Sequence, residues 1–159
     1  NTHALMKEGW HGVFVEASPN VFAGCRKNLE GLNAELCLAT VTVDPVTGLI
    51  DFYDNDAATA TISKSHMEQW KRETPFNRIT VMPVHYKAIL SRFGTVYDFV
   101  SVDVEGQSAD LFLRMIGEMP DVDCWVVEKD DKRAQIIEAA QGFAVLYECH
   151  ENIVLGRVV

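Results

Sequence analysis

The feature that most constrains this chain is a recurrent ending, a short apolar run that closes on a carboxylate. In residues 96–106, VYDFVSVDVEG, the residues Phe99, Val100, Val102 and Val104 form an apolar, largely β-branched run. Such a run reads as a strand buried on both faces. It ends in Asp103 and Glu105, Gly106 follows, and a helical pattern begins at once. A strand that hands over directly to a helix belongs to a parallel α/β sheet, where ligands bind beyond the carboxyl ends of the strands. Gly12–Glu16 (GVFVE), Cys124–Glu128 (CWVVE) and residues 144–148 (AVLYE) close in the same way. If these runs lie parallel, four acidic endings gather along one edge. Buried carboxylates are costly, so acids placed there are solvated, paired or used. Taken alone, Asp103 serves equally well as the N-cap of the helix that follows it.

The remaining residues alternate to match. Thr2 opens a short helix that Gly9 ends, and Ser18-Pro19 starts a second helix that runs to Gly31. Residues 35–43 read as a strand stopped by Asp44-Pro45, and residues 49–53 as another after a Val46-Thr47-Gly48 turn. Residues 54–64 are small, polar and aperiodic, which predicts a loop lying over the substrate side of the cleft. A helical turn at 66–72, a strand at 79–84 and a helix at 85–93 closed by Gly94 come next. After the central run the pattern gives helix 108–119, strand 122–128, helix 131–140, and strands 143–148 and 152–158. The last two strands are joined only by residues 149–151, so they pair antiparallel, because a parallel crossover needs about a dozen residues or more. The expected architecture is therefore an α/β domain spanning residues 1–159. One mainly parallel sheet carries helices on both faces and is finished by a C-terminal antiparallel hairpin. This is the topology of the Rossmann-like S-adenosylmethionine methyltransferases.

Charge narrows the partners. The formal net charge of -9 argues against a nucleic-acid backbone and against an anionic membrane surface. No apolar run approaches the roughly 20 residues of a membrane span. Cys25, Cys37, Cys124 and Cys149 show no CxxC spacing and read as reduced, buried thiols, which points to the cytoplasm. The five histidines are scattered without metal-ligand spacing, and Phe99, Trp125, Phe143 and Tyr147 fall on strands as core candidates.

Several motifs resemble the FkbM family of S-adenosylmethionine-dependent methyltransferases. Asn1-Thr2, the run Gly9-Trp10-His11-Gly12-Val13-Phe14-Val15-Glu16-Ala17-Ser18-Pro19, and Phe22 resemble the family's helix, GW-x-G turn and second strand. Residues 97–106 (YDFVSVDVEG) are similar to its D-F-x-x-x-D-x-E-G element, and residues 79–90 resemble the segment before it. Ala17 stands where the family usually has proline. The resemblance implies that the family's first strand and Gly-rich loop precede Asn1, and that this chain is the C-terminal portion of a longer protein. It also implies a methyltransferase acting on a hydroxyl of a small molecule or glycan, with S-adenosylmethionine as cofactor.

Chemistry and resemblance together assign roles. A strand-end acid can accept hydrogen bonds from both ribose hydroxyls, which fits Glu16, with Ala17 and Ser18 beside it. By resemblance, Ala39 and Thr40 line the adenine. Asp103, counted with the cofactor-binding residues as well, and Glu105 face the methyl group and substrate as orienter or general base. Glu128 is a further catalytic candidate. Two other readings compete. In one, Asp103 and Glu105 bind Mg²⁺ in a phosphoryl-transfer or phosphohydrolase domain, against which no Gly-rich phosphate loop or Walker lysine is present. In the other, the acids only cap helices in a non-catalytic α/β module.

Overall fold

A computed structural model describes residues 2–57 and 59–158; Asn1 of the N-terminal motif and Ala58 of the loop 54–64 lie outside them. The elements run α1 (His3–Lys7), β1 (Gly12–Glu16), α2 (Pro19–Asn28), β2 (Ala34–Leu38), β3 (Thr40–Thr42) and β4 (Ile50–Asp54). They continue as α3 (Lys64–Trp70), β5 (Asn77–Val81), β6 (Pro83–His85), α4 (Tyr86–Phe93) and β7 (Phe99–Val102). The chain closes with α5 (Ser108–Met115), β8 (Cys124–Glu128), α6 (Arg133–Ala139), β9 (Phe143–Glu148) and β10 (Asn152–Arg157).

These strands do not join into the single, mainly parallel Rossmann-like sheet expected from the sequence. The fold is α/β with small mixed ladders: β1-β2, β3-β6 and β4-β5, beside one four-stranded sheet in the order β7-β8-β10-β9. Pairs β1·β2, β3·β6 and β7·β8 are parallel, whereas β4·β5, β8·β10 and β9·β10 are antiparallel. Two of the runs read as single strands are responsible. The run 35–43 breaks at Ala39, whose amide donates to the Glu16 carbonyl at 2.9 Å, so β2 serves β1 while β3 serves β6. The run 79–84 breaks before Pro83, which has no N–H to donate, and β5 pairs with β4 while β6 pairs with β3. Among the described residues β1 is paired only with β2, and β7 only with β8. Both line one cleft.

The core lies around β8 and β10, where Trp125, Val127, Ile153 and Leu155 are buried against Phe112 of α5 and Ile136 of α6. The Phe112 and Trp125 rings meet edge to face, 5.2 Å apart at 82°, a geometry that aromatic quadrupoles favour. Of the other strand aromatics, Phe99 and Phe143 are half-buried, but Tyr147 is 62% exposed on β9, an edge strand with one partner among the described residues, and is not core. The cysteines are free but not buried: Cys149 is exposed and the other three are intermediate. No described helix is long and apolar enough to cross a membrane.

Because β10 runs antiparallel to both β8 and β9, those two strands point the same way, and β7 is parallel to β8. Three of the acidic endings, after β7, β8 and β9, therefore share one edge of the four-stranded sheet.

Candidate functional site

The site begins where β7 stops. Gly106 adopts φ +83°, open to glycine at little cost, and the Gln107 amide donates to the Val104 carbonyl at 2.8 Å. The backbone thus turns after Val102, and Asp103 and Glu105 leave on a turn instead of continuing one strand face. Even so, carboxylate oxygens of Asp103, Glu105 and Glu128 all lie within 4.8 Å of one another.

Ser108, wholly buried at the start of α5, ties this turn to β8. Its Oγ accepts from the Val104 amide at 2.6 Å and donates to Glu128 Oε2 at 2.8 Å. Asp130 accepts from the Ala109 amide at 2.9 Å, from a left-handed backbone position at φ 44°. Of the first-turn amides of α5, that of Ala109 is thereby served by Asp130, while Ser108 ties the helix start back to the Val104 amide and to Glu128. Among the described residues Asp103 accepts no hydrogen bond from that helix, which removes the observation a helix-cap reading of Asp103 needs.

Crowded acids resist ionisation. Burial, then the charges of Glu128, Asp103, Asp130 and Glu151, pushes the Glu105 carboxyl up to about 8. Burial also pushes Glu128 up to about 7 against the lowering hydrogen bond from Ser108. Asp103, the most open of the three, is raised by the burial of its carboxyl and by Asp130 and Glu151. Glu148, the ending of β9, behaves in the opposite way. Hydrogen bonds from Arg133 and Lys129 hold its carboxyl down, which makes it a paired surface acid.

A cleft of about 1100 Å³ opens in front of Asp103 and Glu105. Its lining includes Glu16 and Ala17 at and after the end of β1, Ala39 and Thr40 at the break between β2 and β3, and Asp103 and Glu105. Val13, Phe14, Leu90, Val100 and Val102 add apolar wall. Glu16 Oε1 accepts from the Ser18 amide at 2.7 Å. Burial raises its carboxyl, the backbone amides of Ser18 and Ala17 lower it, and Asp54 and Asp103 raise it further.

Two of the residues singled out from sequence stand off the cleft wall. Ser18 is buried as the N-cap of α2, accepting from the Val21 amide at 3.4 Å and donating to Asp54 at 3.1 Å, so its side chain is spent on structure. Glu128 does not line the cleft but joins Asp103 and Glu105 from behind through Ser108.

Four residues that the sequence reading passed over complete the arrangement. They are Ser108, Asp130, Thr61 and His66. Thr61 Oγ1 donates to the Glu105 carbonyl at 2.7 Å, and His66 Nε2 lies 2.9 Å from Glu105 Oε2. The latter contact is close enough for an ion pair but bent away from hydrogen-bond alignment, and that nitrogen is buried with no other partner among the described residues. Ser108 left a trace in the sequence as a serine where a helix begins, and Thr61 lies in the loop 54–64 expected over the cleft; Asp130, two residues beyond Glu128, and His66 carried no signal of a site there.

Comparison of the chain with family models, with curated proteins and with solved structures returns no match.

Proposed function

We propose that this protein is an S-adenosylmethionine-dependent methyltransferase domain that acts on a hydroxyl of a small molecule or glycan. One observation carries the reading: a single cleft gathers the cofactor candidates Glu16, Ala17, Ala39 and Thr40 and the catalytic candidates Asp103 and Glu105. When bound, the cofactor supplies an electrophilic methyl group on a sulfonium. Glu16 Oε1 accepts from the Ser18 amide, and the carboxylate lines the cleft where a ribose diol would be held. Ala39 and Thr40 offer a small wall for a flat base. Crowded carboxylates with raised pKa values are the environment a cationic group relieves. The cleft lining contains no Lys or Arg among the described residues.

The protein's own part in such a transfer is orientation and proton handling. Transfer from a sulfonium depends chiefly on holding the acceptor in line. Asp103 accepts the hydroxyl hydrogen bond, and Glu105 takes the proton at a carboxylate oxygen. Its elevated pKa makes it a stronger base once ionised than an ordinary glutamate.

A second reading, a Mg²⁺-dependent phosphoryl-transfer or phosphohydrolase domain, has one specific observation in its favour. The oxygens of Asp103, Glu105 and Glu128 are close enough to hold one hard cation. Calorimetry separates the two. S-adenosylhomocysteine should bind, and Glu16→Ala should weaken it by about 1.5–3 kcal/mol, roughly ten- to 150-fold, with the fold intact. Mg²⁺ binding without S-adenosylhomocysteine binding would favour the second reading. Unchanged affinity in folded Glu16→Ala would take Glu16 out of the site.

A further inference from the structure

We infer that His66 is a positioning residue for Glu105, holding its carboxyl through Nε2 and fastening residues 61–66 to the turn that carries the acids. The inference deepens the proposed function and rests on its placing of Glu105 beside the reacting atoms.

Three contacts converge on one short turn. His66 Nε2 stands 2.9 Å from Glu105 Oε2, and Thr61 Oγ1 donates to the Glu105 carbonyl at 2.7 Å, so one segment grips both the side chain and the backbone of the same residue. The third contact is packing. A Cβ placed on Gly106 would sit 3.5 Å from Ser63 Cβ and 3.7 Å from His66 Cβ, so the segment lies directly against the glycine. Local structure fixes the imidazole in turn. Ser63 caps α3 by accepting from the His66 amide at 3.2 Å, and Thr61 Oγ1 accepts from the Ser63 amide at 2.9 Å. Thr61 is anchored to β4 by its reciprocal backbone bonds with Tyr53, at 2.8 and 3.0 Å.

Each side of the pair needs the other. His66 Nε2 is a buried ring nitrogen that makes no aligned hydrogen bond among the described residues and stands 2.9 Å from Glu105 Oε2, and no described side chain donates a hydrogen bond to the Glu105 carboxyl. A buried polar group without a partner bears its full desolvation penalty, so the 2.9 Å contact is the one interaction that offsets it on either side and keeps the two groups in register. His66 does not line the cleft, whereas Thr61 and Glu105 do. It therefore works from behind the acid and meets no substrate, which makes its role one of position.

Amide exchange needs no cofactor, so the outcome stays readable if the cofactor reading fails. The variants are His66→Ala, His66→Asn and His66→Gln in the whole chain. Gln can present a donor near the Nε2 position, and the shorter Asn cannot. Exchange over residues 61–67 and 104–107 should accelerate about tenfold in His66→Ala and His66→Asn and stay within about twofold of wild type in His66→Gln. Protection of β8 should be unchanged in all three. Glu105→Ala should accelerate residues 61–67 equally, and adding His66→Ala to it should accelerate them no further. Equal acceleration in the Gln and Asn variants, no acceleration in any, or additive effects of the two alanine changes would overturn the inference. Should His66→Ala fail to fold, the contrast between His66→Gln and His66→Asn carries the same decision.

Discussion

Neutralising Glu105 should make the protein more stable at alkaline pH and leave it nearly unchanged in acid. Its carboxyl is raised from 4.5 to about 8, chiefly by burial. Between these values the folded state binds more protons than the unfolded chain, so stability falls as pH rises through that window. At 1.36 kcal/mol per pKa unit, a fully buried and isolated group moved this far would lose about 5 kcal/mol. The group is only half-buried and is coupled to Glu128 and Asp103. Solvent screening and shared protons reduce the expected loss to about 1–2 kcal/mol. Glu105→Gln keeps the volume and an acceptor for His66 but cannot ionise. Urea unfolding followed by tryptophan fluorescence at pH 4, 6 and 8.5 measures the difference. The variant should match wild type within about 0.5 kcal/mol at pH 4 and exceed it by about 1–2 kcal/mol at pH 8.5. A residual downward slope should remain from Glu128, which is raised to about 7. His66, lowered by burial, contributes with the opposite sign: its share of stability is lost as pH falls through 6.5. A variant equally destabilised at all three pH values would refute the claim that Glu105 is held in a charge-averse site.

Ser108→Ala strands the Val104 amide and removes the donor to Glu128, so it should cost about 1–3 kcal/mol in the same unfolding assay. It should also move Glu128 further upward in a carboxyl carbon NMR titration, because the lost hydrogen bond lowers that group. Phe112→Ala removes the ring packed edge-on against Trp125 in a wholly buried position and should cost about 3–5 kcal/mol. Gly106→Ala meets only ordinary contacts, but φ +83° should make it cost about 1–2 kcal/mol in backbone strain. A neutral result there would mean that the turn relaxes.

Local order in this protein is strongly encoded nearby in the chain, and its sequence alone determined much of it. The apolar runs ending in Glu16, Asp103, Glu128 and Glu148 are strands or lead straight out of them, since alternation and β-branching act over a few residues. The Ser18-Pro19 helix start and the short connection between β9 and β10 follow from capping and chain reach, which are equally local. Partner choice was beyond that reach. Residues 35–43 read as one strand because their composition is continuous, yet Ala39 divides them between two ladders, and only the positions of β1 and β6 decide where. The single parallel sheet fails for this reason: pairing is a property of two segments, while the pattern belongs to one. The site divides along the same line. Glu16, Asp103, Glu105 and Glu128 were legible because a carboxylate at the end of an apolar run is anomalous by itself. Ser108, Asp130, Thr61 and His66 are residue types that carry no such anomaly in the sequence. Tertiary structure alone set Thr61 and His66 against Glu105, from 44 and 39 positions away in the chain, and gave them something to hold.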